Sequence, residues 1–254
     1  VFRCEQFAPE LISELVNISA AGCYNIYPDS PFVIPANGAV KMFDSLREYS
    51  AIFTFSRSLI PIFYQLGANR VEWLPFGYCP TAHHPVQKNE LSYNADIAYL
   101  GSWGPIQEKW LSLLVESDLK IYGTGWDHLK KKSPIISRWK PNMGIGPDMT
   151  KAINGAKINF NLVRAEHGCA HSMKTFEIPA CGGFMLTNWT EEQAMFFEDG
   201  KECVFFSTME EMLDKAKQYL GNAADRERIR RAGLAAVSEH TYEARALSIL
   251  KTMA

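Results

Sequence analysis

The chain has 254 residues, 47% of them hydrophobic and 21% charged, with a formal net charge of −2. That balance excludes intrinsic disorder and allows two small globular domains or one large one. It also excludes a general nucleic-acid binder, which would carry a strong basic excess. No run of roughly 18 apolar residues is present to span a bilayer, and the start at Val1 lacks a charged-then-apolar leader. Cys4, Cys23, Cys79, Cys169, Cys181 and Cys203 never form CxxC. Such spacing suits buried thiols in a reducing cytoplasm better than a disulfide or zinc framework. The missing initiator Met suggests a chain that begins inside a longer protein.

Leu11, Leu15, Val16 and Ile18 have helical spacing and predict a helix within residues 7–21, stopped at Gly22. Cys23 to Tyr27 reads as a strand, and Pro28, Asp29, Ser30 and Pro31 punctuate a loop. A short helix is expected over 40–46. The continuous run Ala51-Ile52-Phe53-Thr54-Phe55 predicts a strand covered on both faces. Ser56 is expected to cap a helix carrying Leu59, Ile62, Phe63 and Leu66, which Gly67 ends. Arg70 to Leu74 is the next strand. This alternation implies a parallel sheet with helices on its faces. Residues 79–94 hold two prolines and the pair His83-His84 without a sustained period. They read as a linker with exposed histidines.

A second alternation begins with a strand over 96–100, the turn Gly101-Ser102-Trp103-Gly104 and a helix over 106–115. The strand Leu119 to Tyr122 ends in Gly123-Thr124-Gly125. A helix over 149–156, a strand over 157–163 and a helix from Met173 to Gly182-Gly183 follow, then strands over 184–187 and 204–206. Met209, Met212, Leu213 and Ala216 set an amphipathic helix with a Thr208/Glu211 capping box. The tail is helical from 223 to 254, broken near His240-Thr241.

Ligands of open parallel sheets bind beyond the carboxyl ends of the strands. In the second unit this selects 101–104, 123–125, the loop 164–172 and the stretch after Thr187. The third is the most informative. A strand delivers Arg164, and Ser172 is expected to cap a helix whose first turn offers unpaired amides to an anion. Lys174 stands in that turn, where the dipole alone prefers an acid; a phosphate between them reconciles the two. Glu177, one turn on, is placed to accept hydrogen bonds from both hydroxyls of a ribose. The alternative is a plain surface i,i+3 pair worth roughly 0.2–0.5 kcal/mol. Pro179 implies a kink or an early helix end.

Gly123-Thr124-Gly125 lacks the third glycine and the acidic partner of a dinucleotide fingerprint, which argues against NAD. His167, Cys169 and His171 lack a HExxH pattern, which argues against zinc. Lys130-Lys131-Lys132 with Arg138, Trp139 and Lys140 form a basic aromatic patch. It reads as a solvated face, with an anionic acceptor or a peripheral membrane contact as alternatives.

The stretch Ser172-Met173-Lys174-Thr175-Phe176-Glu177-Ile178-Pro179-Ala180-Cys181-Gly182-Gly183-Phe184 resembles the signature of the CgeB-like, group 1 (GT4-like) glycosyltransferase family. Similarity extends to 96–103, 119–126, 197–206 and His240-Thr241-Tyr242-Glu243. It also covers Pro28 to Phe32, Phe53 to Arg57 and Leu74 to Phe76, and it is most specific over 172–187. The resemblance implies an α/β fold of GT-B type, with two Rossmann-like domains, the first without its opening strands. Residues 1–80 would be the rest of the acceptor-side domain, 81–94 the linker and 95–240 the nucleotide-sugar domain. Residues 241–254 would be a helix packing back on the first domain.

The resemblance further implies a retaining transferase, of hexosyl type, that uses a nucleoside-diphosphate sugar as donor and needs no metal or other cofactor. The acceptor would be a glycan, a lipid-linked glycan or a protein, bound in the cleft between domains. Glu177 matches the second glutamate of the family's E-x7-E pattern, while the first falls at Cys169. Ser102 and Gln107 stand where an Arg and a Lys often follow the first strand's glycine. Lys174 and Arg164 are the substitutes that stabilise the departing diphosphate. Ser172, Met173, Thr175 and His171 complete the donor site around Glu177. Gly101, Ser102 and Trp103 approach the phosphates or the sugar, and Tyr122, Gly123 and the loop 143–149 flank the base. Two alternatives are a non-catalytic nucleotide-sugar binder or coat protein of this fold, which Cys169 favours, and a GT-B-fold epimerase. The latter needs carboxylates from both domains in the cleft.

Overall fold

Two parallel sheets hold the named strands in the computed structural model, which describes residues 7–32, 42–86, 91–144, 146–164 and 168–253. The first has the order β1-β2-β3, from β1 (Tyr24–Tyr27), β2 (Ala51–Thr54) and β3 (Val71–Trp73). Tyr24 lies opposite Ala51, and Ile52 opposite Val71. Every residue of β2 is buried, as its unbroken apolar run demands of a central strand. Helices α1 (Pro9–Ile18) and α2 (Leu59–Gln65) cover this sheet, burying Ile12 and Phe63 against Tyr27. Residues 42–45 are helical as expected; 40 and 41 lie outside the described residues.

The second sheet comprises β4 (Ala95–Leu100), β5 (Leu119–Tyr122), β6 (Ala156–Asn161), β7 (Met185–Asn188) and β8 (Val204–Phe206). Their order is β5-β4-β6-β7-β8. A single parallel bridge joins Ile121 to Trp139, and the Lys140 amide donates to the Ile121 carbonyl at 2.9 Å. Counting that bridge as a vestigial strand, the succession is 3-2-1-4-5-6, the doubly wound dinucleotide order. Its switch point lies between β4 and β6. Side chains alternate across the sheet with period two. Ile97 and Tyr99 join a core with Leu111 and Met212, whereas Ala98 and Leu100 join another with Ile153 and Phe176. The helices behind those residues are α3 (Pro105–Leu111), α4 (Asp148–Gly155), α5 (Lys174–Ala180) and α7 (Met209–Gly221).

The capping box of α7 is present: the Thr208 hydroxyl accepts from the Glu211 amide at 3.1 Å. The tail divides into α8 (Ala223–Ala236) and α9 (Tyr242–Met253) around His240-Thr241. The break has a pairing cause. Tyr78 donates its amide to the His240 carbonyl at 3.0 Å and accepts from the Tyr242 amide at 2.9 Å, which requires extended backbone at Thr241. Arg245 then reaches the carbonyls of Pro75 and Phe76.

Three local expectations are corrected. Ser56 does not cap α2; its hydroxyl donates to Glu192, and Ser58 occupies the cap position with its hydroxyl 2.8 Å from that of Ser56 rather than on a helix amide. Ser172 does not cap α5, because Met173 takes that position and the Ser172 hydroxyl donates to Asn161 at 3.3 Å. A helix α6 (Glu191–Phe196), unanticipated above, follows β7. Its signal was present: Thr190 accepts from the Gln193 amide at 3.2 Å, the T-x-x-Q start of a helix. Pro179 sits in the last turn of α5, which ends one residue later, with Gly182 in the left-handed region at φ 71°. Among the described residues, no helix is long and apolar enough to cross a membrane.

Candidate functional site

At the carboxyl end of β4 the turn 101–104 is laced to the turn after β5. The Trp103 amide donates to the Thr124 carbonyl at 2.9 Å, and the Ser102 and Thr124 hydroxyls lie 3.2 Å apart. The Trp126 indole donates to the Gly101 carbonyl at 2.8 Å, and the Trp139 indole to the Gly123 carbonyl at 3.2 Å. Gly123 has φ 130°, and a Cβ there would stand 2.3 Å from the Gly101 carbonyl oxygen. Gly123→Ala is therefore expected to cost about 1–3 kcal/mol, read as a lower thermal midpoint. An unchanged midpoint would show that the two turns can separate. From the end of β6, Arg164 donates to the Trp103 carbonyl at 3.3 Å. The structure thus brings Arg164 to the Gly101–Trp103 turn, across the switch point.

Helix α5 opens the same region. Lys174 Nζ lies 2.5 Å from Glu177 Oε2, and Glu177 is only 6% exposed, so this is no surface pair. The second oxygen, Oε1, faces His83 Nε2 at 3.8 Å. His83 was expected in solvent; its side chain is 13% exposed because residues 79–83 fold against α5. Its Nδ1 accepts from the Cys79 amide at 3.1 Å, which leaves the proton on Nε2. Burial lowers its pKa by more than Glu177 raises it.

The anion cradle expected at this helix start is narrower than its sequence implies. The amides of Thr175, Phe176 and Glu177 donate to the carbonyls of Ser172 and Met173, and the Ser172 amide donates to the Thr175 hydroxyl. Charge from Lys174 and Arg164, rather than a row of open amides, is what this region offers an anion.

His171 lies at 1% exposure. Its Nε2 accepts from the Phe76 amide at 2.9 Å, so its proton rests on Nδ1 and is donated to Glu192 Oε2 at 2.7 Å. Glu192 Oε1 accepts from the Ser56 hydroxyl at 3.0 Å and the Arg57 amide at 2.6 Å. This buried pair ties the carboxyl ends of β2 and β3 to the segment before α5. Burial is the main cause of the lowered His171 pKa. Glu192 was missed in the sequence, where nothing separates it from its neighbour Glu191.

Thr175 is buried, donating to Gln193 at 3.0 Å. Tyr122 is buried beneath Gly144, at which a Cβ would meet its ring at 2.6 Å, so the ring has no open face for a base. Met173, by contrast, is exposed and lines a cavity of about 510 Å³ with Asp29, Phe53, Phe55, Phe76 and Arg245, at the carboxyl ends of the first sheet. Glu166 and His167 lie outside the described residues, among which no group of three His, Cys, Asp or Glu is placed to hold a metal. In the basic patch, Lys130 to Lys132 are exposed, while Arg138 donates to the Val115 carbonyl.

The profile of a family described as glycosyl transferase-like matches residues 106–251. Comparison with curated protein sequences finds no match. Among solved structures, sucrose-phosphate synthase from Thermosynechococcus elongatus superposes with TM-score 0.66 at 10% identity, covering 90% of this chain and 66% of that one. TarM from S. aureus, solved as a variant with UDP, fondaparinux and alpha-GlcNAc-glycerol, gives 0.68 at 11% identity, covering 96% and 54%. HepE from Anabaena, in complex with UDP and glucose, gives 0.67 at 14% identity, covering 90% and 71%. The present chain therefore spans only part of each of these proteins. Its two parallel α/β sheets have the fold of GT-B glycosyltransferases. With the family profile covering more than half of its length, the chain belongs to the glycosyl transferase-like family.

Proposed function

We propose that the chain binds a nucleoside-diphosphate sugar at the switch point between β4 and β6 and transfers the sugar to an acceptor hydroxyl. The observation that carries this reading is the placement of Lys174 and Glu177 at the opening of α5, with Arg164 across the crevice. During transfer the bond from the sugar to the diphosphate breaks and its electron pair settles on a phosphate oxygen. Lys174 and Arg164 stabilise that charge, and the acceptor hydroxyl forms the new bond to the sugar and passes its proton to the departing diphosphate oxygen. Lys174 would leave Glu177 for the phosphate, freeing the carboxylate for the ribose. The structural neighbours HepE and TarM were solved with UDP, which makes UDP the first nucleotide to test. The cavity beside Met173 is the proposed place of the acceptor.

Retention of configuration, a hexose as the group moved and independence of metals belong to the same proposal, on the strength of the resemblance. Cytoplasmic placement is proposed from the unpaired state of the five described cysteines. The division of the chain near residues 80 and 95 is proposed from its two separate sheets.

Lys174→Ala is expected to lower donor turnover by about 10²–10³-fold, the usual loss on removing one group that faces developing charge. UDP release from UDP-sugars, with and without chelator, measures it. Turnover within threefold of wild type would remove Lys174 from the mechanism. Cys169, at the position of the family's first glutamate, favours a second reading in which the donor is bound but not consumed. Nucleotide binding without hydrolysis or transfer would select it.

A further inference from the structure

Among the described residues, the carboxylate of Glu177 is hydrogen-bonded through Oε2 by Lys174, while Oε1 faces His83 Nε2 at 3.8 Å, beyond hydrogen-bond reach. The imidazole is fixed in orientation. Its Nδ1 accepts from the Cys79 amide, and the Thr150 hydroxyl donates to the neighbouring Ala82 carbonyl at 3.1 Å, pinning the segment to α4. A donor N–H and an acceptor oxygen therefore face each other across a fixed gap. A hydroxyl oxygen about 2.8 Å from each closes a triangle on that base. Such a hydroxyl would accept from His83 and donate to Glu177 at once. An ether oxygen or a CH₂ could not do both.

We propose that His83 is a further binding residue of the donor site, donating its Nε2–H to the ribose hydroxyl that Glu177 accepts from. The assignment rests on the donor-site reading above and adds to it a residue from outside the second sheet. Its consequence is selectivity for ribose over deoxyribose, because a site with a buried donor and acceptor pair rejects a ligand that lacks the hydroxyl.

The test uses calorimetry with UDP, GDP, ADP and CDP, and then the 2′-deoxy and 3′-deoxy forms of whichever binds tightest. Wild-type protein should prefer the ribonucleotide over one deoxy form by tenfold or more. His83→Phe should reduce that ratio below threefold, whereas His83→Gln, which keeps an N–H donor, should retain most of it. An unchanged ratio in His83→Phe overturns the assignment and leaves the donor site standing. Loss of the ratio in both variants overturns it as well, since packing of the ring rather than its N–H would then be responsible. If none of the four nucleotides binds the wild-type protein, the donor-site reading falls and His83 with it.

Discussion

Replacing Glu192 with alanine is expected to lower the folding free energy by about 3–5 kcal/mol, measured as a shift of the urea midpoint. The carboxylate is 1% exposed and accepts three hydrogen bonds, from the Ser56 hydroxyl, the Arg57 amide and His171 Nδ1. Truncation leaves all three donors without their acceptor, and each donor orphaned in the buried part of the junction costs about 1–3 kcal/mol. Glu192→Gln should fall between the two. Its amide oxygen can still serve Ser56 and Arg57, but its NH₂ meets the Nδ1–H of His171. Relieving that clash needs the other tautomer, which then cannot accept from Phe76. The junction joins the ends of β2 and β3 to the approach to α5, so its loss would also loosen the cleft in which transfer is proposed. A change below about 1 kcal/mol for Glu192→Ala would mean that water replaces the carboxylate.

The second large effect is loss of stability on mild acidification. His83, His171 and His240 all have lowered pKa values, His240 down to about 4, and burial is the first cause in each. The nearby Arg245 guanidinium adds to the effect on His240, whose Nδ1 accepts from it at 2.8 Å. A histidine that resists protonation when folded binds more protons when unfolded. Its contribution is therefore complete above the unfolded value near pH 6.5 and is lost as the pH falls. For His240 alone the loss between pH 6.5 and pH 4 is on the order of 2–3 kcal/mol. Carboxylates held low by cations, such as Asp96 beside Lys157, act at lower pH, so the window from about 6.5 to 4 belongs to the histidines. Denaturant midpoints at pH 7, 5.5 and 4 measure the slope, and His240→Gln should flatten it in part. A level profile over that range would show that these rings protonate without resistance.

Secondary structure was legible wherever the determinants were local. The run Ala51 to Phe55, the strand Leu119 to Tyr122 and the Thr208/Glu211 cap needed no partner beyond their own neighbours to declare themselves. The T-x-x-Q start of α6 was equally local and was overlooked for want of a longer apolar period behind it. The caps assigned to Ser56 and Ser172 failed for the opposite reason. Each hydroxyl found a distant partner, Glu192 or Asn161, that outcompeted the adjacent amides.

The order of elements, the parallel character of the sheets and the signature around Lys174 and Glu177 were determined by sequence alone, because periodicity, turns and motif spacing are properties of short segments. Which charged groups are buried, and against what, was decided by tertiary structure. Ser56 and Glu192 meet across 136 residues of chain, and His83 faces Glu177 only because the segment after β3 folds against α5. Desolvation and hydrogen-bond geometry depend on those long-range placements, and they distinguish the locked His171 and Glu192 from Lys174, Glu177 and His83, where donor binding is proposed.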